Sequence, residues 1–198
     1  MFCMVVTTIT TGEIDQRHHG NGLVSMFSPS SRTAVLNSLV VLSKQSQDHE
    51  LRWIAENILP PLIKWALGPI DDFIHHPFRV AAGLQVMYTL LARIGSFDWA
   101  RSRRTDCLTL SCALNSFNTK DTDNSPDISI LRLAALKLML TTLTIRNTSN
   151  NEDASYLSPV DVQKAAETVN AAARLDAQPE VRSLASEVAP HLTLHTGS

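Results

Sequence analysis

Apolar residues recur at three- and four-residue intervals along most of the chain, the spacing that gathers side chains onto one side of an α-helix. The cleanest case lies between Pro77 and Gly95, where Val80, Leu84, Met87, Leu91 and Ile94 form one stripe. Pro77 suits a first helical position, because the N–H it lacks would have no intrahelical partner there, and Gly95 suits a stop just beyond the last apolar residue. The same periodicity predicts further helices beginning near Arg32, His49, Trp99, Ile128, Val160 and Glu180. In the second of these, Leu51, Ile54, Ile58 and Leu62 keep the spacing through Pro60 and Pro61, with Trp53 and Trp65 on either side. Interior prolines remove backbone hydrogen bonds and clash with the preceding turn, so a bend or break is predicted there. Around Ile128 to Ile145 the chain is apolar almost all round, and Leu131, Ala135, Leu138 and Thr142 share a side, which predicts burial between two neighbours. The last helix carries only a modest stripe of Val181, Leu184 and Val188 and reads as a terminal cap.

The polar connections are as informative as the helices. Lys44 to Asp48, Asn118 to Pro126 and Asn147 to Ser158 interrupt the pattern, the last with the composition of a disordered loop. Met1 to Thr11 is apolar and rich in Thr, Val and Ile, yet lacks the basic start and long apolar centre of a secretion signal, so a strand-like or disordered start is expected. Leu23 to Phe27 reads as the end of a degenerate first helix. No run approaches the roughly 18 apolar residues that a membrane span requires.

One proline–arginine–alanine pattern appears four times. It reads Pro29 with Arg32 and Ala34, Pro77 with Arg79 and Ala81, Pro126 with Arg132 and Ala134, and Pro179 with Arg182 and Ala185. The arginines stand 47, 53 and 50 residues apart. A period near fifty with helical spacing after each arginine is what stacked helix pairs produce, since each pair leaves an apolar face for the next to cover. With the intervening helices counted, the implied order is B, A-B, A-B, A-B.

These residues resemble the HEAT repeats, whose units carry a proline in the first helix, an aspartate in the turn, and a proline followed by a Val-Arg-like pair opening the second. Leu59-Pro60-Pro61-Leu62, Asp71-Asp72, Pro77 and Arg79-Val80 fit that outline, and Asp176 through Pro179 to Val181-Arg182 fits it again. The resemblance implies an all-α solenoid of three to four helix pairs over residues 30–198, preceded by a degenerate segment at 1–29. It also implies structural roles for Asp71 or Asp72 with Arg79 and for Asp176 with Arg182, which in such proteins look inward and tie neighbouring repeats. The turn from Gly68 to His76 is longer than the family's, and Asp123 and Arg132 stand too far apart to align in the third unit. A narrower likeness joins Leu59 to Leu62, Asp71-Asp72, Arg79, Gly83-Leu84 and Trp99. It is similar to the family of the second Tel-two-interacting protein, part of the Triple T complex, a co-chaperone assembly that matures phosphatidylinositol-3-kinase-related kinases. Members are usually much longer, so the chain would match a carboxy-terminal part or a shortened form. That likeness implies other helical-repeat subunits as partners and a cytoplasmic or nuclear setting.

Composition narrows the function classes. With 44% hydrophobic and 18% charged residues in a chain of 198, a sizeable core is within reach, and the net charge of −2 argues against a protein that works by neutralising nucleic-acid phosphates. Cys3, Cys107 and Cys112 are too few and oddly numbered for a disulfide framework, which fits a reducing compartment. No phosphate-cradling glycine motif or nucleophile elbow occurs, so neither a cofactor nor a catalytic residue is expected. Arg101, Arg103 and Arg104 crowd the start of a helix, where the helix dipole disfavours cations, and this gives them weight as a partner-binding cluster. His75 and His76 follow Asp71 and Asp72 within one turn, the sole basis for the alternative of an all-α metal-dependent enzyme. A protein-interaction scaffold, not an enzyme, is the preferred reading.

Overall fold

The computed structural model describes residues 29–66, 77–94, 110–114, 116–117, 126–148 and 159–193, and among these every regular element is helical. The long helices are α1 (Pro29–Gln45), α2 (Asp48–Ala66), α3 (Pro77–Ile94), α4 (Pro126–Thr148), α5 (Pro159–Leu175) and α6 (Pro179–Thr193). All but α2 open on a proline, as the first-position argument predicts. In α2 the opening is made differently. The backbone N–H of Gln47 donates to the Glu50 carboxylate at 3.1 Å, the return half of a capping box. None of these helices is long and apolar enough to cross a membrane.

The core is organised around α3. Its predicted stripe is buried throughout, and Ala81, Ala82, Gly83, Val86 and Leu90 are buried as well, because α3 packs on α1, α2 and α4 at once. The small Ala81-Ala82-Gly83 run faces this crowding without bulk, which lets helices close in without strain. In turn α4 lies between α3 and α6, and it buries Leu131, Ala135, Leu138 and Thr142 as expected of a helix apolar on several sides. The buried Thr142 satisfies its hydroxyl on the Leu138 carbonyl one turn back, at 2.9 Å. Finally α5 packs on α6 through Val162, Ala165, Val169 and Ala172.

Two expectations are narrowed. Of the bend or break expected at Pro60 and Pro61, the break does not occur, since α2 continues from Asp48 to Ala66. The cost of interior prolines is offset by an unbroken buried edge on both sides of them, Leu51, Ala55, Ile58, Leu59, Leu62 and Ile63, held against α3. The first two residues of the loop predicted from Asn147 to Ser158 are helical, because α4 retains Asn147 and Thr148, and the rest of that stretch lies outside the described residues.

Candidate functional site

Charged side chains hold the helices in register. The Arg132 guanidinium of α4 donates to the Asp176 carboxylate at 3.0 Å, with the arginine side chain 21% exposed and the aspartate 5%. Arg132 also stands over the Phe117 ring at 6.0 Å. The other Asp176 oxygen accepts the Gln178 N–H at 3.0 Å, which shapes the entry to α6. Arg182 caps the same turn from the other side, donating to the main-chain carbonyls of Asp176 at 2.7 Å and Ala177 at 3.1 Å. Asp176 therefore presents its carboxylate to Arg132, 44 residues earlier, and its carbonyl to Arg182.

A second clasp joins α1 to α3. Arg93, in the last turn of α3, donates to the carbonyls of Ser43, Lys44 and Ser46 at 3.0, 3.1 and 2.9 Å. Those carbonyls close α1, where the backbone runs out of its own donors, and a guanidinium supplies both hydrogen bonds and the favoured charge. Asp48 adds a looser ion pair to Arg93 at 3.7 Å.

Two grooves open beside this framework. The first, about 280 Å³, runs across α1, α3 and α4, with Thr33 and Asn37 on one wall, Gln85 and Tyr88 in the middle, and Leu133 and Lys137 opposite. Phe78 and Ile130 border it with 47% and 42% of their surfaces exposed. Partial burial raises the Tyr88 phenol above its ordinary range. The second groove is larger, about 610 Å³, and lies between α1 and α2 near their connection. Both helices pack on α3, so a cleft remains between them, walled by Leu39, Leu42, Ile54 and Ile58 and edged by Trp53, His49 and Glu50.

The sequence-derived residues divide between these features and the undescribed parts of the chain. Arg79 is 5% exposed inside α3, a depth at which a guanidinium needs polar company. Its expected partners Asp71 and Asp72 lie outside the described residues, as do His75, His76, Arg101, Arg103 and Arg104. Among the described residues no three metal-capable side chains converge. Cys112 is buried, with its thiol against the Ile63 carbonyl at 3.6 Å, and burial pushes its pKa up to about 12. Such a thiol is inert as a nucleophile. The Arg93 clasp had no signal in the sequence beyond a basic residue in a last turn. Compared with known proteins, the chain matches no family model, no curated protein and no solved structure.

Proposed function

We propose that the chain is a HEAT-like α-solenoid that works as a protein-interaction scaffold. One observation carries this reading. The four proline–arginine helices α1, α3, α4 and α6 pack one upon the next in chain order, while α2 and α5 each pack on the helix that follows them. That is the neighbour-to-neighbour order of stacked helix pairs. The Arg132–Asp176 pair, which links the arginine of one unit to the aspartate of the next, supports the same arrangement. A row of stacked helices offers a broad surface, and the groove across α1, α3 and α4 carries the exposed apolar Phe78 and Ile130 on its border beside the polar Asn37, Gln85 and Lys137. Exposed apolar side chains interleaved with polar ones suit a protein partner. The likeness to the Tel-two-interacting family makes other helical-repeat subunits of a co-chaperone assembly the partner class, with Arg101, Arg103 and Arg104 steering their approach.

Quantitative affinity purification tests this. The wild-type chain is compared with Phe78→Glu/Ile130→Glu and with the triple change of Arg101, Arg103 and Arg104 to Glu, all checked for equal helical content by circular dichroism. A helical-repeat protein recovered with the wild type and reduced at least tenfold by the groove variant is the expected result. Identical recoveries with all three would refute the scaffold surface, and consistent absence of Triple T subunits would remove the co-chaperone setting.

A further inference from the structure

We infer that the groove across α1, α3 and α4 takes an acidic segment of a protein partner in extended conformation, its backbone against Asn37 and Gln85 and a carboxylate against Lys137. The inference rests on the reading of this groove as a partner surface and adds the chemistry of what binds there. Charge is the first argument. On α1 the charged residues are Arg32 and Lys44, and on α3 they are Arg79 and Arg93, with no acidic residue on either helix. Helix α4 carries Arg132, Lys137 and Arg146 against Asp127. Seven basic residues thus stand against one acidic residue on these three helices, a formal +6, although the whole chain is net −2. Arg132 and Arg93 are balanced by Asp176 and Asp48 from outside this set, and Arg79 is buried. Lys137 is exposed, and among the described residues lining the groove it is the one charged side chain. Such a wall attracts an anionic partner and repels a cationic one.

Geometry selects an extended segment over a helix. Packed helices lie about 8–10 Å apart, so crossing all three covers roughly 16–20 Å at most. At about 3.3 Å per residue, about five or six residues of extended chain span that width. Asn37 comes from α1, Gln85 from α3 and Lys137 from α4, and among the described residues none of the three has a hydrogen-bond or ion-pair partner. An extended segment arrives with an unpaired N–H and C=O at every residue. A side-chain amide donates and accepts at once, so Asn37 and Gln85 can satisfy both kinds of group. A bound helix would bring its backbone already paired and leave the two amides idle. Ala81, Ala82 and Ala134 in the groove are small and buried, so a backbone can lie close to them. Phe78 and Ile130 at the border offer apolar contact to flanking side chains. Because alternate residues of an extended chain point the same way, a segment that mixes acidic and apolar residues fits.

Peptide selection tests this. The full chain is immobilised and panned against random eight-residue peptides displayed on phage, and the selected peptides are synthesised and titrated by fluorescence anisotropy. They are expected to carry Asp or Glu among apolar residues and to lose binding with Phe78→Glu/Ile130→Glu. Lys137→Glu should weaken them about tenfold and, in a repeat selection, turn the preference toward Lys or Arg. Asn37→Ala/Gln85→Ala should weaken them by a similar factor with the acidic preference kept, a loss that a helical occupant would not show. Asn37 and Lys137 are exposed and Gln85 is half-buried, so these variants keep the fold, which matching circular dichroism melts check. Peptides that depend on Phe78 and Ile130 but show no excess of acidic residues would overturn the inference while leaving the partner surface standing. Indifference of the selected peptides to Asn37→Ala/Gln85→Ala would overturn the extended conformation in the same way. Failure to select any groove-dependent peptide would overturn it too, and the scaffold reading would then be decided by affinity purification alone.

Discussion

Replacing Asp176 with Ala removes two interactions at once, and their sizes can be separated. Loss of one partner from a fully buried ion pair costs about 3–5 kcal/mol, whereas an exposed pair is worth about 0–1 kcal/mol. With Asp176 5% and Arg132 21% exposed, this pair sits nearer the buried limit, and solvent at the arginine lowers the cost to about 2–3 kcal/mol. The lost acceptor for the Gln178 N–H adds about 1 kcal/mol. Asp176→Ala should therefore lose about 3–4 kcal/mol, and Asp176→Asn, which keeps an acceptor for Gln178 but not the charge, about 2 kcal/mol. In urea, with a slope of about 2 kcal/mol/M, the alanine variant's midpoint should fall by about 1.5–2 M. A double-mutant cycle with Arg132→Met isolates the pair and should return a coupling of about 1–3 kcal/mol, since the separate contact of Arg132 with Phe117 is lost with Arg132→Met in either background and cancels. A coupling below about 0.5 kcal/mol would refute the claim that this pair holds α4 to the entry of α6.

Three other substitutions address the rest of the framework. Arg93→Met should lower stability by about 1–3 kcal/mol in the same urea assay, since three carbonyls at the end of α1 lose their donor, and amide exchange should rise first around Ser43 to Ser46. Thr89 is buried with its hydroxyl lacking a hydrogen-bond partner, so Thr89→Val should be neutral or raise the melting temperature, and a fall of several degrees would contradict the packing between α3 and its neighbours. With the other two cysteines replaced, Cys112 should resist alkylation at pH 8 until the chain unfolds. Because burial raises its folded pKa from 9.0 to about 12, the unfolded chain gives up the proton first, and stability should decline as pH rises between those values. The decline should be smaller in Cys112→Ala.

Local chemistry made the helices legible. Prolines at 77, 126, 159 and 179 mark four helix starts because a residue without an N–H costs nothing there, and the α3 stripe needed only its spacing. What failed were places where packing outweighs local preference. Pro60 and Pro61 do not end α2, because the buried residues flanking them share one neighbour, and no window of sequence contains that neighbour. The partner of Asp176 was a problem of distance along the chain. Arg132 stood out by its phase and Asp176 by its turn, yet the nearer Arg182 was the natural choice, and only the stacking of α4 on α6 brings residues 44 apart together. The grooves were least legible, since a groove is the absence of a side chain and depends on where two helices diverge.

The central position of α3 also bears on how the protein is made. Once residue 94 has left the ribosome tunnel, α1, α2 and α3 can already close on one another, with the Arg93 clasp in place. Among the described helices, the other flank of α3 is covered by α4. At translation rates of about 5–20 residues per second, the 54 residues from Gly95 to Thr148 take about 3–11 s. During that interval the nascent chain presents the α4-facing side of its core helix to the cell, long enough for a chaperone to bind and release it. Slower codons between Gly95 and Pro126 would lengthen the exposure without changing a single residue.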